Sequence, residues 1–99
     1  MPPLSDIEIQ RELTTLTGWS RKGNAITKTF TFGGFPAALD FAQSLVPIAE
    51  GMNHHPDLDI RYNRVIVHLT THDKGGITKN DLAQARKIEE LLAKRAISD

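Results

Sequence analysis

The sequence predicts an α+β fold, a two-layer sandwich with helices on one face of a four-stranded antiparallel sheet, in α-β-β-α-β-β-α order. Two observations carry the prediction. Three stretches repeat apolar residues at helical spacing, and two others alternate apolar and polar residues about a central turn, which reads as hairpins and hence as antiparallel pairs. A chain of 99 residues supports one core, burying roughly two-thirds of the surface its unfolded form exposes, and is too short for two. Residues 1–99 are therefore read as one domain.

Pro2 and Pro3 precede the first helix, for which Ser5 is the N-cap and Glu8, three residues on, completes a capping-box pattern. The helix is expected from about Asp6 to Thr15, with Ile9, Leu13 and Leu16 as its buried stripe and Gly18 ending the segment. From Trp19 the period changes. Trp19 to Arg21 and Ala25 to Phe32 flank the turn Lys22-Gly23-Asn24, with Ile26, Lys28, Phe30 and Phe32 on one face of the second strand.

Phe35 and Pro36 open the next helix, where proline in the first turn costs no hydrogen bond. Phe41, Leu45 and Ile48 carry it to about Met52, but Pro47 in a helix interior costs about 3 kcal/mol unless the helix is redirected there. After Pro56, Leu58, Ile60 and Tyr62 alternate with Asp57, Asp59 and Arg61 as a half-buried strand. Asn63-Arg64 is the expected hairpin loop before Val65, Val67 and Leu69. Asp73 to Gly76 is a loop, Thr78 an N-cap with Asp81 three residues on, and the last helix runs to about Ala96 with Leu82, Ala85, Ile88, Leu91 and Leu92 inward. The bare sheet face and its edge strands call for cover, which a second copy of the chain would supply.

Twelve basic and twelve acidic residues balance, which disfavours phosphate-driven binding to nucleic acid. No cysteine is present, so disulfides, thiolate metal sites and cysteine nucleophiles are excluded. No leader pattern and no membrane-length apolar run is found, and a soluble, cytoplasmic protein is expected.

All four histidines, His54, His55, His68 and His72, fall within 19 positions between two helical patterns. Three readings apply to His54, His55 and His72. A metal site would use neutral imidazoles with a carboxylate such as Glu50, although adjacent histidines on extended backbone point apart and the spacing matches no metal motif. The second reading is structural, as capping or turn residues. The third is metal-free acid-base chemistry, since imidazole, with an unperturbed pKa of about 6.5, gives or takes protons near neutrality. Two imidazoles across a substrate suit a dehydration, and Pro56 would hold His55 extended. His68, alternating with Val67 and Leu69, is expected to be structural and on the face away from the helices.

The run H-H-P-D-L-D-I-R-Y-N-R-V-I-V-H-L-T-T-H, preceded by Glu50 and followed by G-G-I-T-K-N-D-L-A, resembles the pterin-4a-carbinolamine dehydratases. The likeness extends to the W-x-x-x-x-x-x-I-x-K-x-F region from Trp19 to Phe30. The resemblance implies a dehydratase that removes water from a 4a-hydroxytetrahydropterin to give a quinonoid dihydropterin, in recycling the pterin of aromatic amino-acid hydroxylases. It needs no metal or other cofactor. By position, His54 and His72 would be the acid-base pair and His55 would bind and orient the pterin, with Glu50, Pro56 and Asp81 completing the substrate site. Some family members carry tryptophan two residues after the proline, where this chain has Leu58. Strict alternation would place His72 on the face with His68, so the strand must end or twist near Thr70. The resemblance also implies a homodimer or homotetramer. The alternative is a non-catalytic pterin-binding or protein-interaction module on the same fold, like relatives that serve as dimerisation cofactors of a transcription factor.

Overall fold

Ser5 starts the first helix with a closed capping box: its hydroxyl accepts the Glu8 N–H at 3.3 Å while the Glu8 carboxylate accepts the Ser5 N–H at 3.0 Å. The computed structural model describes residues 2–98, with side-chain surroundings for 2–95. Helix α1 spans Asp6–Leu13, ending short of Thr15. The hydroxyls of Thr14 and Thr15 donate to the carbonyls of Arg11 and Glu12, and the backbone tightens to three-residue turns, so local side-chain bonds compete with the helix ladder. Gly18, at φ +87°, turns the chain into the sheet.

Strands β1 (Ser20–Lys22) and β2 (Ala25–Thr31) form the first hairpin, with Gly23 supplying positive φ in its two-residue loop. The expected second helix is two. Helix α2 covers Phe35–Ser44 and α3 covers Val46–Met52, joined at Leu45. The break places Pro47 in the first turn of α3, where an N–H has no helical partner, so the missing donor costs nothing.

Strands β3 (Asp57–Arg61) and β4 (Arg64–Leu69) form the second hairpin. Arg61 pairs with Arg64, so the loop is Tyr62-Asn63 rather than Asn63-Arg64, and the positive φ of 53° falls on Tyr62. Asn63 is committed elsewhere: its amide donates to the Phe32 carbonyl at 3.1 Å and its carbonyl accepts the Phe32 N–H at 2.8 Å, clasping the hairpin to the end of β2. After β4, Thr71 bridges to Gly76 around one 3-10 turn, His72–Lys74. The last helix, α4, spans Lys79–Ser98.

The sheet order is β1-β2-β4-β3, antiparallel throughout. Ile26, Phe30, Val65, Val67 and Leu69 point to one face and join Ile9 of α1, Phe41 of α2 and Leu82, Ala85 and Ile88 of α4 in one apolar core. The helices therefore cover a single face, as the pattern predicts. Threonines 27, 29 and 31 with His68 occupy the other. On β3 the expectation of half-burial fails in degree. Leu58 and Ile60 sit opposite Val67 and Val65 yet remain 37% and 39% exposed, because β3 is the sheet edge, at the rim of the helical layer. Tyr62 is more exposed still, at 70%. No helix among the described residues is long and apolar enough to cross a membrane.

Candidate active site

The end of α3 decides where the histidines go. Asn53 adopts the left-handed conformation (φ 48°, ψ 44°), and the His54 N–H reaches back to the Ala49 carbonyl at 3.0 Å, a Schellman-type closure. His54 is then turned inward, with 9% of its surface exposed, while His55 stays at the surface. The adjacent pair thus serves two environments.

Within the fold, His54 Nε2 lies 2.6 Å from Asp81 Oδ1. Asp81, fully buried in the first turn of α4, accepts at Oδ2 from the Thr71 hydroxyl (2.9 Å) and the Thr78 N–H (2.8 Å). Thr71 has given its hydrogen to Asp81, so in the 2.8 Å Thr71–Thr78 contact the Thr78 hydroxyl donates; Thr78 Oγ1 in turn accepts the Asn80 N–H at 3.2 Å. These roles make Asp81 an acceptor on every side, so His54 carries its hydrogen on Nε2. In the neutral ring the lone pair is then on Nδ1. Gln84, one turn along α4, donates its amide to the His54 carbonyl at 2.6 Å. Among the described residues, the buried polar side chains are these five: His54, Thr71, Thr78, Asp81 and Gln84.

Each remaining histidine has its own carboxylate. His55 Nε2 is 2.6 Å from Glu50 Oε2, both well exposed. His68 lies on the open sheet face, 3.1 Å from Asp59, as the alternation predicts. His72 begins the 3-10 turn after β4 ends at Leu69, which frees it from strand alternation; its Nε2 is 3.5 Å from Asp57 Oδ2. It also lines an open groove of about 320 Å³ with Asn24, Ala25, Thr70, Gly75 and Gly76.

Of the residues singled out in the sequence, the structure joins His54 to Asp81 directly and brings the His72 segment to them through Thr71. Glu50 and His55 form a separate exposed pair, with part-buried Pro56 leading into β3. No three potential metal-ligating side chains converge among the described residues. Sequence reasoning missed Asp57, Thr71 and Gln84. Gln84 did leave a signal, a polar residue three positions after Asp81, next to the apolar positions Leu82, Ala85 and Ile88.

The fold is thus an open-faced α+β sandwich that sets histidine–carboxylate pairs where one strand begins and its neighbour ends, with the buried His54–Asp81 pair as the most constrained of them. Comparison with known proteins is more specific. The family profile described as pterin 4 alpha carbinolamine dehydratase matches residues 2–91. A relative from Sulfurisphaera tokodaii, provisionally named a pterin-4-alpha-carbinolamine dehydratase, is 55% identical over 93% of this chain and 99% of its own. One from Roseiflexus sp. (strain RS-1), provisionally given the same name, is 48% identical over 90% and 96%. The crystal structure of a transcriptional coactivator/pterin dehydratase from Brucella melitensis superposes with TM-score 0.84 at 37% identity, covering 89% of this chain and 96% of that one. The chain belongs to the pterin-4a-carbinolamine dehydratase family. A further structure, of a pterin dehydratase-like protein identified as a RuBisCO assembly factor in the alpha-carboxysome, has TM-score 0.59 at 20% identity over 74% of this chain and 84% of that one, and shares the fold.

Proposed function

We propose that this protein dehydrates 4a-hydroxytetrahydropterin to quinonoid dihydropterin by histidine acid-base catalysis without a metal or other cofactor. In this elimination the N5–H proton leaves to a base, the N5–C4a double bond forms, the C4a–O bond breaks, and the hydroxyl departs as water on receiving a proton. His54 and His72 are the acid-base pair. The observation that carries the reading is the His54–Asp81 bond of 2.6 Å, buried and fully partnered, which holds one imidazole tautomer and commits Nδ1 as the proton-exchanging nitrogen. Asp81 acts through His54 in this scheme, since its oxygens are occupied by protein donors, while His55, Glu50 and Pro56 orient the pterin from the surface.

The protein is further proposed to work in the cytoplasm as a homodimer or homotetramer and to serve aromatic amino-acid hydroxylase turnover. Exposed Phe35 and Leu39 on α2 and Leu58, Ile60 and Tyr62 along the β3 hairpin support assembly through that side. The same apolar side favours a second reading, a non-catalytic interaction module, in which these residues rather than the histidines carry the function.

Decay of freshly generated 4a-hydroxytetrahydropterin, followed by ultraviolet absorbance with chelator-treated protein, separates the two. Acceleration that survives chelation is expected. Its absence would leave the interaction module, and acceleration abolished by chelator and restored by metal would replace the metal-free scheme.

A further inference from the structure

We infer that Gln84 is a positioning residue for His54, so that α4 grips this histidine at two points, by ring and by main chain. The inference rests on the reading above for what His54 does. Gln84 is 1% exposed, its Nε2 donates to the His54 carbonyl at 2.6 Å, and its Oε1 is buried with no hydrogen-bond partner. The amide orientation is dictated chemically, because a flipped side chain would oppose two acceptors, Oε1 and the His54 carbonyl. A buried acceptor without a donor is a cost that an apolar side chain of like size would remove. The fold keeps it nonetheless, at a point where the amide touches the backbone of the histidine whose ring Asp81 holds.

Geometry explains why one grip is insufficient. The His54 N–H is tied back to the Ala49 carbonyl at the end of α3, but its carbonyl, leading to exposed His55, lies outside any helix or strand ladder. The Asp81 bond fixes the ring nitrogen; the Gln84 bond fixes the main chain from which the ring is hung. Asp81 and Gln84 are three positions apart and therefore neighbours on one helix face, so both bonds refer to the same rigid frame.

The test compares Gln84→Met, which fills the space without donating, with Gln84→Glu, whose carboxyl donates only when protonated. Two quantities are read on folded protein: the His54 tautomer, from imidazole ¹⁵N shifts, and kcat and KM for 4a-hydroxytetrahydropterin against pH. In Gln84→Met the Nε2–H to Nδ1–H ratio is expected to fall about five- to tenfold, and kcat about tenfold or more with KM changed less than about twofold. In Gln84→Glu both are expected to approach the parent values at acid pH and to fall as the introduced carboxyl ionises. An unchanged tautomer in both variants, or parallel loss of kcat, KM and folding without recovery of Gln84→Glu at low pH, would overturn the inference. Should Gln84→Met fail to fold, Gln84→Glu alone decides. If the parent shows no dehydration, the proposed function fails, while the tautomer measurement still decides whether Gln84 positions His54.

Discussion

Replacing Asp81 by Asn separates what the buried cluster does for folding from what it does for chemistry. The carboxylate accepts three hydrogen bonds, from His54 Nε2, the Thr71 hydroxyl and the Thr78 N–H. The Asn oxygen can keep the two threonine donors on the side now held by Oδ2, leaving its NH2 facing His54. That imidazole can then accept at Nε2 by moving its hydrogen to Nδ1. One amide hydrogen goes to His54 Nε2 and the second has no acceptor beside it, so an orphaned buried donor adds to the difference between charged and neutral acceptors, about 2–4 kcal/mol in total. Of a typical stability of about 5–15 kcal/mol this leaves a folded protein. The chemical effect is far larger, because the lone pair has left the nitrogen committed to proton exchange, and turnover is expected to fall about a hundredfold to ten-thousandfold. Urea unfolding at matched protein concentration reads the first quantity as a midpoint shift at constant slope, and imidazole ¹⁵N shifts with single-turnover kinetics read the second. Turnover within about threefold of the parent, or a His54 that keeps its hydrogen on Nε2, would refute the tautomer argument.

His72→Ala is expected to lower turnover about a hundredfold or more; a near-normal rate would remove His72 from the chemistry. Glu8 has its pKa held below the ordinary 4.5, first by the Ser5 backbone N–H and then by the Ser5 hydroxyl, so its charge stabilises the folded state above 4.5 and that contribution is lost as pH falls through the lowered folded value. The stability gap between the parent and Glu8→Gln should therefore be open at pH 7 and close in acid, and a pH-independent gap in denaturation curves would contradict it. Gly18→Ala should destabilise by about 1–3 kcal/mol, because φ is +87° and the added carbon would lie 2.8 Å from Lys28 Cε, a side chain tied to Glu89 and the Thr17 carbonyl. An unchanged melting temperature would refute both the backbone strain at Gly18 and the clash with Lys28.

What was legible in the sequence was what neighbours in the chain decide. The Ser5–Glu8 box, the Thr78–Asp81 cap, the Gly23 turn and the alternation in β2 and β4 all involve partners within a few residues, and all appear where expected. The split at Leu45 was signalled by Pro47, but its placement depends on how α2 and α3 each meet the rest of the core. The Tyr62-Asn63 loop was misplaced by one residue because Asn63 is claimed by Phe32, a contact 31 positions away that outweighs its aptitude for positive φ. The exposure of Leu58 and Ile60 was hidden for a similar reason: alternation names the face, while strand order decides whether anything lies over it. At the site, the clustering of histidines was visible, but their assignment to Asp81, Glu50, Asp59 and Asp57 was not, since it follows from where the 3-10 turn and the first turn of α4 fall.

The confinement of buried polarity to one end of the fold has an evolutionary consequence. Around Ile26, Phe30, Phe41 and Val65 the described interior is hydrocarbon against hydrocarbon, where exchanges of similar volume are tolerated if total packing is kept. Around His54 each exchange changes a hydrogen assignment, and neighbours must change together. Substitutions that raise thermal tolerance can therefore accumulate at the first location without disturbing the second, and a lineage can drift in its apolar layer while its polar end moves only by coordinated steps.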